Sequence, residues 1–275
     1  MCPQTEIIMR SDYSVLMSVY GKENPAFLKE SIQSILDQTV PTNDFVLVCD
    51  GPLTPELDTV IGFFDDINVV RLPENKGLGQ ALAHGITLCK NELVARMDSD
   101  DIAFPDRMEK QLGAFSANPD VALISGTIVE FQDSISNTKG KRELPSNNEE
   151  IRAFSRKRNP FNHPAIMFKK SAVIQCGNYD ESYHLFEDYY LWVRMLQKGF
   201  KGFNLKDNLV YMRVDDNTME RRGGASYAHE MLRFHKWLRK QGWSSWGDYL
   251  TGAIPHAMVC VLPKGIRKAV YKRLH

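Results

Sequence analysis

The chain has no long hydrophobic run. No window reaches the roughly 18–20 apolar residues of a membrane-spanning helix. The nearest stretch, Ala253-Ile-Pro-His-Ala-Met-Val-Cys-Val-Leu262, is short and holds Pro255 and His256. Net charge is missing too: 34 basic side chains are matched by 34 acidic ones. A general nucleic-acid binder is normally basic overall, so no nucleic-acid partner is expected. Cysteine is scarce, and Cys2, Cys49, Cys89, Cys176 and Cys260 form no CxxC pair. An odd count without a framework fits a reducing cytosol and argues against a structural zinc site. Met1 to Arg10 lacks a basic region followed by an apolar run, so no signal peptide is expected. Internal repeats, low-complexity segments, a Walker A loop and a GxGxxG fingerprint are all absent. What remains is ordinary globular material, long enough at 275 residues for one large α/β domain with an extension.

The first half alternates apolar runs with helical patterns. Tyr13–Tyr20, Asp44–Cys49, Ile67–Leu72 and Leu93–Met97 read as strands. Ala26–Gln38, Glu56–Phe64 and Gly79–Cys89 read as helices, the first with Phe27, Leu28, Ile32, Ile35 and Leu36 on one face. Such alternation implies βαβ units and a largely parallel sheet, whose ligands bind beyond the C-terminal strand ends. Tyr20, Asp50, Asn75 and Asp98 fall at or just after such ends. The second half is less regular. Val121–Phe131 suggests one or two strands, Ser134–Asn148 a polar loop or hairpin, and Asp188–Gln197 an amphipathic helix. Beyond about Tyr211 the pattern turns helical and aromatic up to Tyr249.

Arg96-Met-Asp-Ser-Asp-Asp101 is the most informative stretch. Asp98, Asp100 and Asp101 crowd three carboxylates into four residues at a strand end. Such like charge is unfavourable without a cation, and Mn²⁺ or Mg²⁺ prefers oxygen ligands shared with a diphosphate. An acidic helix N-cap opening at Asp101 is the competing reading. Asp50-Gly51 reads as a base or ribose acceptor, or as a plain turn. Asn75-Lys76-Gly77-Leu78-Gly79 precedes a helix, where backbone N–H groups and the helix dipole favour phosphate. Glu187-Asp188 opens a helix and reads, by itself, as a capping pair.

Taken in order, Ser18-Val-Tyr20, Asp50-Gly51, Asn75-Lys-Gly77 through Ala81, and Asp98-Ser-Asp-Asp101 resemble family 2 glycosyltransferases of the GT-A fold. Asn162-His163-Pro164 looks like the family's segment before the acceptor site. Phe186-Glu187-Asp188-Tyr-Tyr-Leu191-Trp192 looks like its Glu-Asp-x-x-Leu-Trp motif, and Arg221-Arg222-Gly223-Gly224 like its basic loop. The resemblance covers residues 12–225 and is closest to bacterial capsule, exopolysaccharide and O-antigen transferases, including the amylovoran-type group. It implies an α/β fold with a Rossmann-like, mostly parallel central sheet flanked by helices, followed by a helical extension over 226–275. It implies inverting, metal-dependent transfer of a sugar from a nucleotide-sugar, a UDP-hexose, to a saccharide on undecaprenyl diphosphate. Under it, Ser18, Tyr20, Asp50, Asn75, Lys76, Gly77, Arg96 and Asp98 contact the donor, and Arg221 and Arg222 its phosphates. Asp100, with Asp98, would hold Mn²⁺ or Mg²⁺; Asp188 would be the base; His163, Glu187 and Trp192 would lie at the acceptor. His163 reads equally as a hydrogen-bonded turn histidine before Pro164.

The chain departs from the family's processive synthases, which carry Gln-x-x-Arg-Trp and transmembrane helices. One sugar per acceptor is therefore expected. A sugar-1-phosphate nucleotidyltransferase, the alternative enzyme, needs a Gly-rich N-terminal loop, and Gly21-Lys-Glu-Asn-Pro25 is not one. A non-enzymatic nucleotide-sugar binder would not need Asp188. The tail carries Lys264, Arg267, Lys268, Lys272 and Arg273 around Ile266, Val270 and Tyr271. With Trp237, Trp243, Trp246 and Tyr249 upstream, it reads as a basic amphipathic helix on an anionic leaflet, or as a helix packed on the catalytic domain. The expected location is the bacterial cytoplasm, peripheral on the inner face of the cytoplasmic membrane.

Overall fold

Four apolar runs become four parallel strands: β1 (Tyr13–Tyr20), β2 (Asp44–Asp50), β3 (Asn68–Arg71) and β4 (Leu93–Asp98), in the order β3-β2-β1-β4. The computed structural model describes residues 12–183, 185–215, 223–263, 265–267 and 270. Parallel strands covered on both faces read as continuous apolar runs, which is why these were visible in sequence. Side chains still alternate between faces. Tyr13, Val15, Met17 and Val19 join Leu28 and Ile32 of α1 (Pro25–Leu36) and Leu57 of α2 (Pro55–Ile61). Leu16 turns the other way, onto Leu82 and Ile86 of α3 (Leu78–Leu88). Burying each such side chain stabilises the fold by about 1.5–3 kcal/mol. α3 lies tight on the sheet because residue 85 is glycine; an added Cβ would collide with Leu16 and lie 2.7 Å from Val48 Cγ2. Asn24 starts α1 by accepting from the Ala26 N–H, with Pro25 in the first turn.

Beyond β4 the sheet turns mixed. β8 (Met167–Lys169) runs antiparallel to β4, and β6 (Val121–Gln132) antiparallel to β8. β9 (Lys201–Arg213) is parallel to β6, and short β5 (Ile102–Ala103) closes the edge on β9. The polar stretch after Phe131 is a hairpin, with β7 (Ser134–Arg142) returning along β6 through Asp133 at φ 61°. α4 (Arg107–Ala117), α5 (Asn148–Phe154), α6 (Lys170–Gln175) and α7 (Glu187–Gln197) complete the layers.

The expected helical pattern after Tyr211 starts later, because β9 continues through Arg213. The extension consists of α8 (Ala225–Lys240), a turn at Trp246–Asp248, a π turn at Tyr249–Ala253, and α9 (Ile254–Cys260). α8 seats Phe234 among Tyr183, Phe186 and Tyr189, with ring centroids 5.3, 5.4 and 4.7 Å away. Its start is tied to the end of α9, where the Gly224 N–H donates to the Cys260 carbonyl at 2.9 Å. Three expectations for the extension change. Arg267 does not join an outward basic face: it is 6% exposed, donates to the same Cys260 carbonyl at 3.0 Å, and crosses Gly223. Trp243 donates its indole N–H to Ser155 Oγ at 3.1 Å, and Tyr249 is buried. Of the four aromatic residues, Trp246 is the one largely exposed. Lys264, Lys268, Tyr271, Lys272 and Arg273 lie outside the described side chains.

Candidate active site

Strand register gathers the C-terminal ends. Ser18 pairs with Asp98 across β1 and β4, and Tyr20 pairs with Asp50 across β1 and β2. Ser18 and Tyr20 share a side, two residues apart, and Tyr20 is exposed. Asp50 is 3% exposed and anchors the following loop. The Lys76 N–H donates to its Oδ1 at 2.7 Å, the Gly77 N–H to its Oδ2 at 3.0 Å, and Asn75 Nδ2 to its carbonyl at 3.1 Å. Gly51, at φ 85°, allows this approach, since a Cβ there would sit 2.5 Å from the Asn75 nitrogen. The loop then presents exposed Asn75 and Lys76 just before the N-terminus of α3.

The acidic turn follows β4. Carboxylate oxygens of Asp98, Asp100 and Asp101 lie within 4.8 Å of one another. Asp98 is clasped by Arg96: Nη1 donates to Oδ2 at 2.6 Å and Nη2 donates to Oδ1. Arg96, expected at the donor, is 1% exposed; as a strand neighbour at i−2 it reaches Asp98 from inside the fold. Asp101 does not open a helix, because α4 begins only at Arg107. Its Oδ1 accepts from the Arg213 N–H at 2.8 Å, while its buried Oδ2 has no hydrogen-bond partner among the described residues. Arg213 also donates from Nε to the Asp100 carbonyl at 2.9 Å, pairs with Glu30 at 2.6 Å, and stacks over Phe27 at 3.7 Å. Burial, then Asp98 and Glu23, push the Asp100 carboxyl up to about 7. Burial, then Asp100 and Asp98, hold Asp101 well above the usual carboxylate range. An all-oxygen, mutually repelling, half-buried donor set with one orphaned oxygen fits a hard divalent cation.

The N-terminus of α7 lies against the start of α3. Phe186, not Asp188, is its N-cap residue. Asp188 accepts from Asn159 Nδ2 at 2.6 Å on Oδ2 and from the Tyr189 N–H at 2.6 Å on Oδ1. Glu187 abuts the first turn of α3, with its Cβ 3.5 Å from where a Gly79 Cβ would stand. Trp192, expected at the acceptor, is 0% exposed and packs against Phe161 at 6.0 Å and Tyr179 at 6.1 Å. His163 shares a 2.8 Å hydrogen bond with the Tyr179 hydroxyl. Burial, and then Arg96, hold its pKa well below the usual value, so the ring is neutral. Burial raises the Tyr179 hydroxyl pKa, and Arg96, Asp188, Glu187 and Asp98 all act on it electrostatically. Arg221 and Arg222 lie outside the described residues. Sequence reasoning missed Asn159, Tyr179 and Arg213. Asn159 precedes the Pro160-Phe-Asn-His163 segment and could have been found there, whereas an arginine ending a long strand gave no signal.

Comparison with known proteins bears on this arrangement. Residues 14–177 match the family profile described as Glycosyl transferase family 2. The chain belongs to this family. It is 37% identical over 265 residues to the Escherichia coli UDP-Gal:alpha-D-GlcNAc-diphosphoundecaprenol beta-1,3-galactosyltransferase, covering 95% of this chain and 96% of that one. The amylovoran biosynthesis glycosyltransferase AmsE of Erwinia amylovora is 37% identical over 82% of this chain and 84% of its own length. An uncharacterized glycosyltransferase of Haemophilus influenzae reaches 42% over 82% of this chain and 84% of its own. Among solved structures, S. aureus TarS 1–349 aligns with a TM-score of 0.57 at 16% identity, covering 80% of this chain and 65% of that chain. The fold is therefore the α/β GT-A fold, and this family 2 chain is a glycosyltransferase of bacterial polysaccharide type.

Proposed function

We propose that this family 2 chain transfers one hexose, with inversion, from a UDP-sugar to a saccharide carried on undecaprenyl diphosphate. The observation that carries the reading is the carboxylate cluster of Asp98, Asp100 and Asp101 at the end of β4, in a chain that matches a UDP-Gal:GlcNAc-diphosphoundecaprenol galactosyltransferase over nearly its full length. Tyr20, Ser18 and the loop held by Asp50 receive the nucleoside end, and Asn75, Lys76 and Gly77 face the phosphates. Asp100, with Asp98 and Asp101 beside it, would hold Mn²⁺ or Mg²⁺. Such an ion, when bound, neutralises charge on a departing diphosphate.

Asp188 takes the proton from the attacking acceptor hydroxyl. The acceptor oxygen bonds to the anomeric carbon as the bond to the diphosphate oxygen breaks, and that electron pair leaves with UDP. Asn159 orients the Asp188 carboxylate, and neutral His163 with Tyr179 lines the acceptor side. Arg221 and Arg222 add charge-assisted contacts to the phosphates. The lipid-linked acceptor keeps the enzyme at the inner face of the bacterial cytoplasmic membrane.

The test is transfer from UDP-galactose to a synthetic GlcNAc-diphosphate-lipid, with the product anomer read by NMR. Asp188→Asn should cut turnover at least about 10²-fold while UDP affinity, measured by calorimetry, stays within a factor of two or so. Donor affinity lost while turnover at saturation survives would make Asp188 a structural residue and overturn the mechanism.

A further inference from the structure

The helical segment after α8 carries a face that catalysis does not use. Between Trp246 and Pro263 the one Asp, Glu, Lys or Arg is Asp248. That carboxylate is already engaged, closing a capping box on Ser245 and pairing with Lys157 at 3.4 Å. One side of the segment is buried: Ala257 and Cys260 pack with Ala228 and Met231 of α8. The other side exposes Trp246 (60%), Leu250 (55%), Met258 (64%) and Val261 (55%), followed by Ile266 (54%). Spacings of four, eight and three residues along a helix keep these side chains on one side. Single exposed apolar residues are ordinary, but a contiguous apolar face marks a contact surface.

Its rim is basic. The Arg239 guanidinium stacks over Trp246 at 3.8 Å. Lys157 runs along the segment at Gly252, where an added Cβ would meet it at 3.3 Å. Arg158, close enough to act on His256 electrostatically, and Lys240, next to Arg239, are exposed. A second copy of the chain on a two-fold axis would bring these cations against their own counterparts, whereas an anionic surface would neutralise them.

We infer that this face docks on an anionic lipid leaflet. Trp246, Leu250, Met258, Val261 and Ile266 enter the boundary between headgroups and acyl chains, and Arg158, Arg239 and Lys240 meet the lipid phosphates. No helix among the described residues is long and apolar enough to cross, so the segment lies in the plane of the surface. The placement suits the lipid-linked acceptor, and the inference rests on that reading for its purpose. The Cys260 carbonyl accepts the Gly224 N–H at the start of α8. Tyr227, in the first turn of α8, packs on Phe186 at 5.6 Å, directly before Glu187 and Asp188. The Met258–Ile266 end of the face is thereby linked to the proposed base, where a lipid-borne saccharide would rise from the leaflet.

The experiment uses the full chain without substrates: co-sedimentation with phosphatidylethanolamine–phosphatidylglycerol vesicles, for the wild type and for Met258→Glu/Val261→Glu. Both positions are more than half exposed, so an unchanged melting temperature and unchanged transfer to a short, water-soluble acceptor certify the fold. The double variant should lose at least about tenfold in vesicle partition and a similar factor in transfer to a long-chain acceptor embedded in vesicles. Arg239→Ala/Lys240→Ala should weaken binding chiefly at low salt. Wild-type partition by the glutamate variant overturns the inference. So does a wild type that ignores vesicles but forms a dimer that the variant splits, which would assign the face to a second copy. Vesicle binding that behaves as expected, with no transfer to either acceptor, would sink the acceptor reading and leave the docking face standing.

Discussion

Replacing Arg96 with methionine should destabilise the chain for an electrostatic reason that can be isolated. The side chain is 1% exposed and holds both oxygens of Asp98. Methionine keeps much of the volume and removes the charge. Asp98 would then face Asp100 and Asp101, all within 4.8 Å, without its nearest cation. Removing one partner of a buried pair costs about 3–5 kcal/mol. The Asp98 side chain keeps 31% of its exposure, so water recovers part of that penalty and the low end, about 3 kcal/mol, applies. At about 2 °C per kcal/mol for a chain this long, the melting temperature should fall by roughly 6 °C. Asp98→Asn in the Arg96→Met background should recover much of the loss, because the stranded charge is then gone. Urea unfolding of the wild type, both single variants and the double variant, in chelator, gives the coupling directly; about 2 kcal/mol is expected. If the two single effects add to within about 0.5 kcal/mol of the double, the pair carries no coupling and the argument fails.

Mn²⁺ should raise the melting temperature of the wild type, since a ligand of the folded state alone stabilises it. Asp100→Asn should remove that rise together with activity, and full activity of the wild type in chelator would refute the assignment. His235 is buried, and burial followed by His256 pushes its pKa down to about 4. The unfolded imidazole keeps a value near 6.5. As pH falls, the unfolded chain therefore takes the proton first. Stability from this group is complete above about pH 6.5 and is lost as pH falls toward 4, by up to about 3 kcal/mol. His235→Gln should shrink the slope of urea midpoint against pH across that window; an unchanged slope would mean the ring titrates normally in the fold.

The parallel half of the sheet was legible because buried strands write themselves as unbroken apolar runs, and because their C-terminal ends collected Tyr20, Asp50 and Asp98 in one place. The mixed half was not. β5 and β8 are two and three residues long and leave no periodic trace. β7 is exposed along its length, so its polar sequence reads as loop. Arg96 and Trp192 were legible as members of motifs, but not in their direction. A strand neighbour two residues from Asp98 faces it from beneath, and Trp192, which shares a helix side with Asp188, lies one turn deeper, packed on Phe161 and Tyr179. Arg213 could not be foreseen, because it reaches the acidic turn across more than a hundred residues of chain. The tail misled for a related reason: composition announces basic residues but not which of them turn inward, as Arg267 does.

The crossing of Arg267 over Gly223 has a consequence for how this chain can vary. A Cβ at residue 223 would overlap the Arg267 guanidinium. The two positions are therefore coupled: a side chain gained at 223 would require the Arg267 guanidinium to swing off the Cys260 carbonyl it now donates to. Gly223 directly follows Arg221-Arg222. Residue 267 and the stretch assigned to the donor phosphates are thus expected to vary together. Swapping the tail between relatives, without residue 223, would transplant half of a joint.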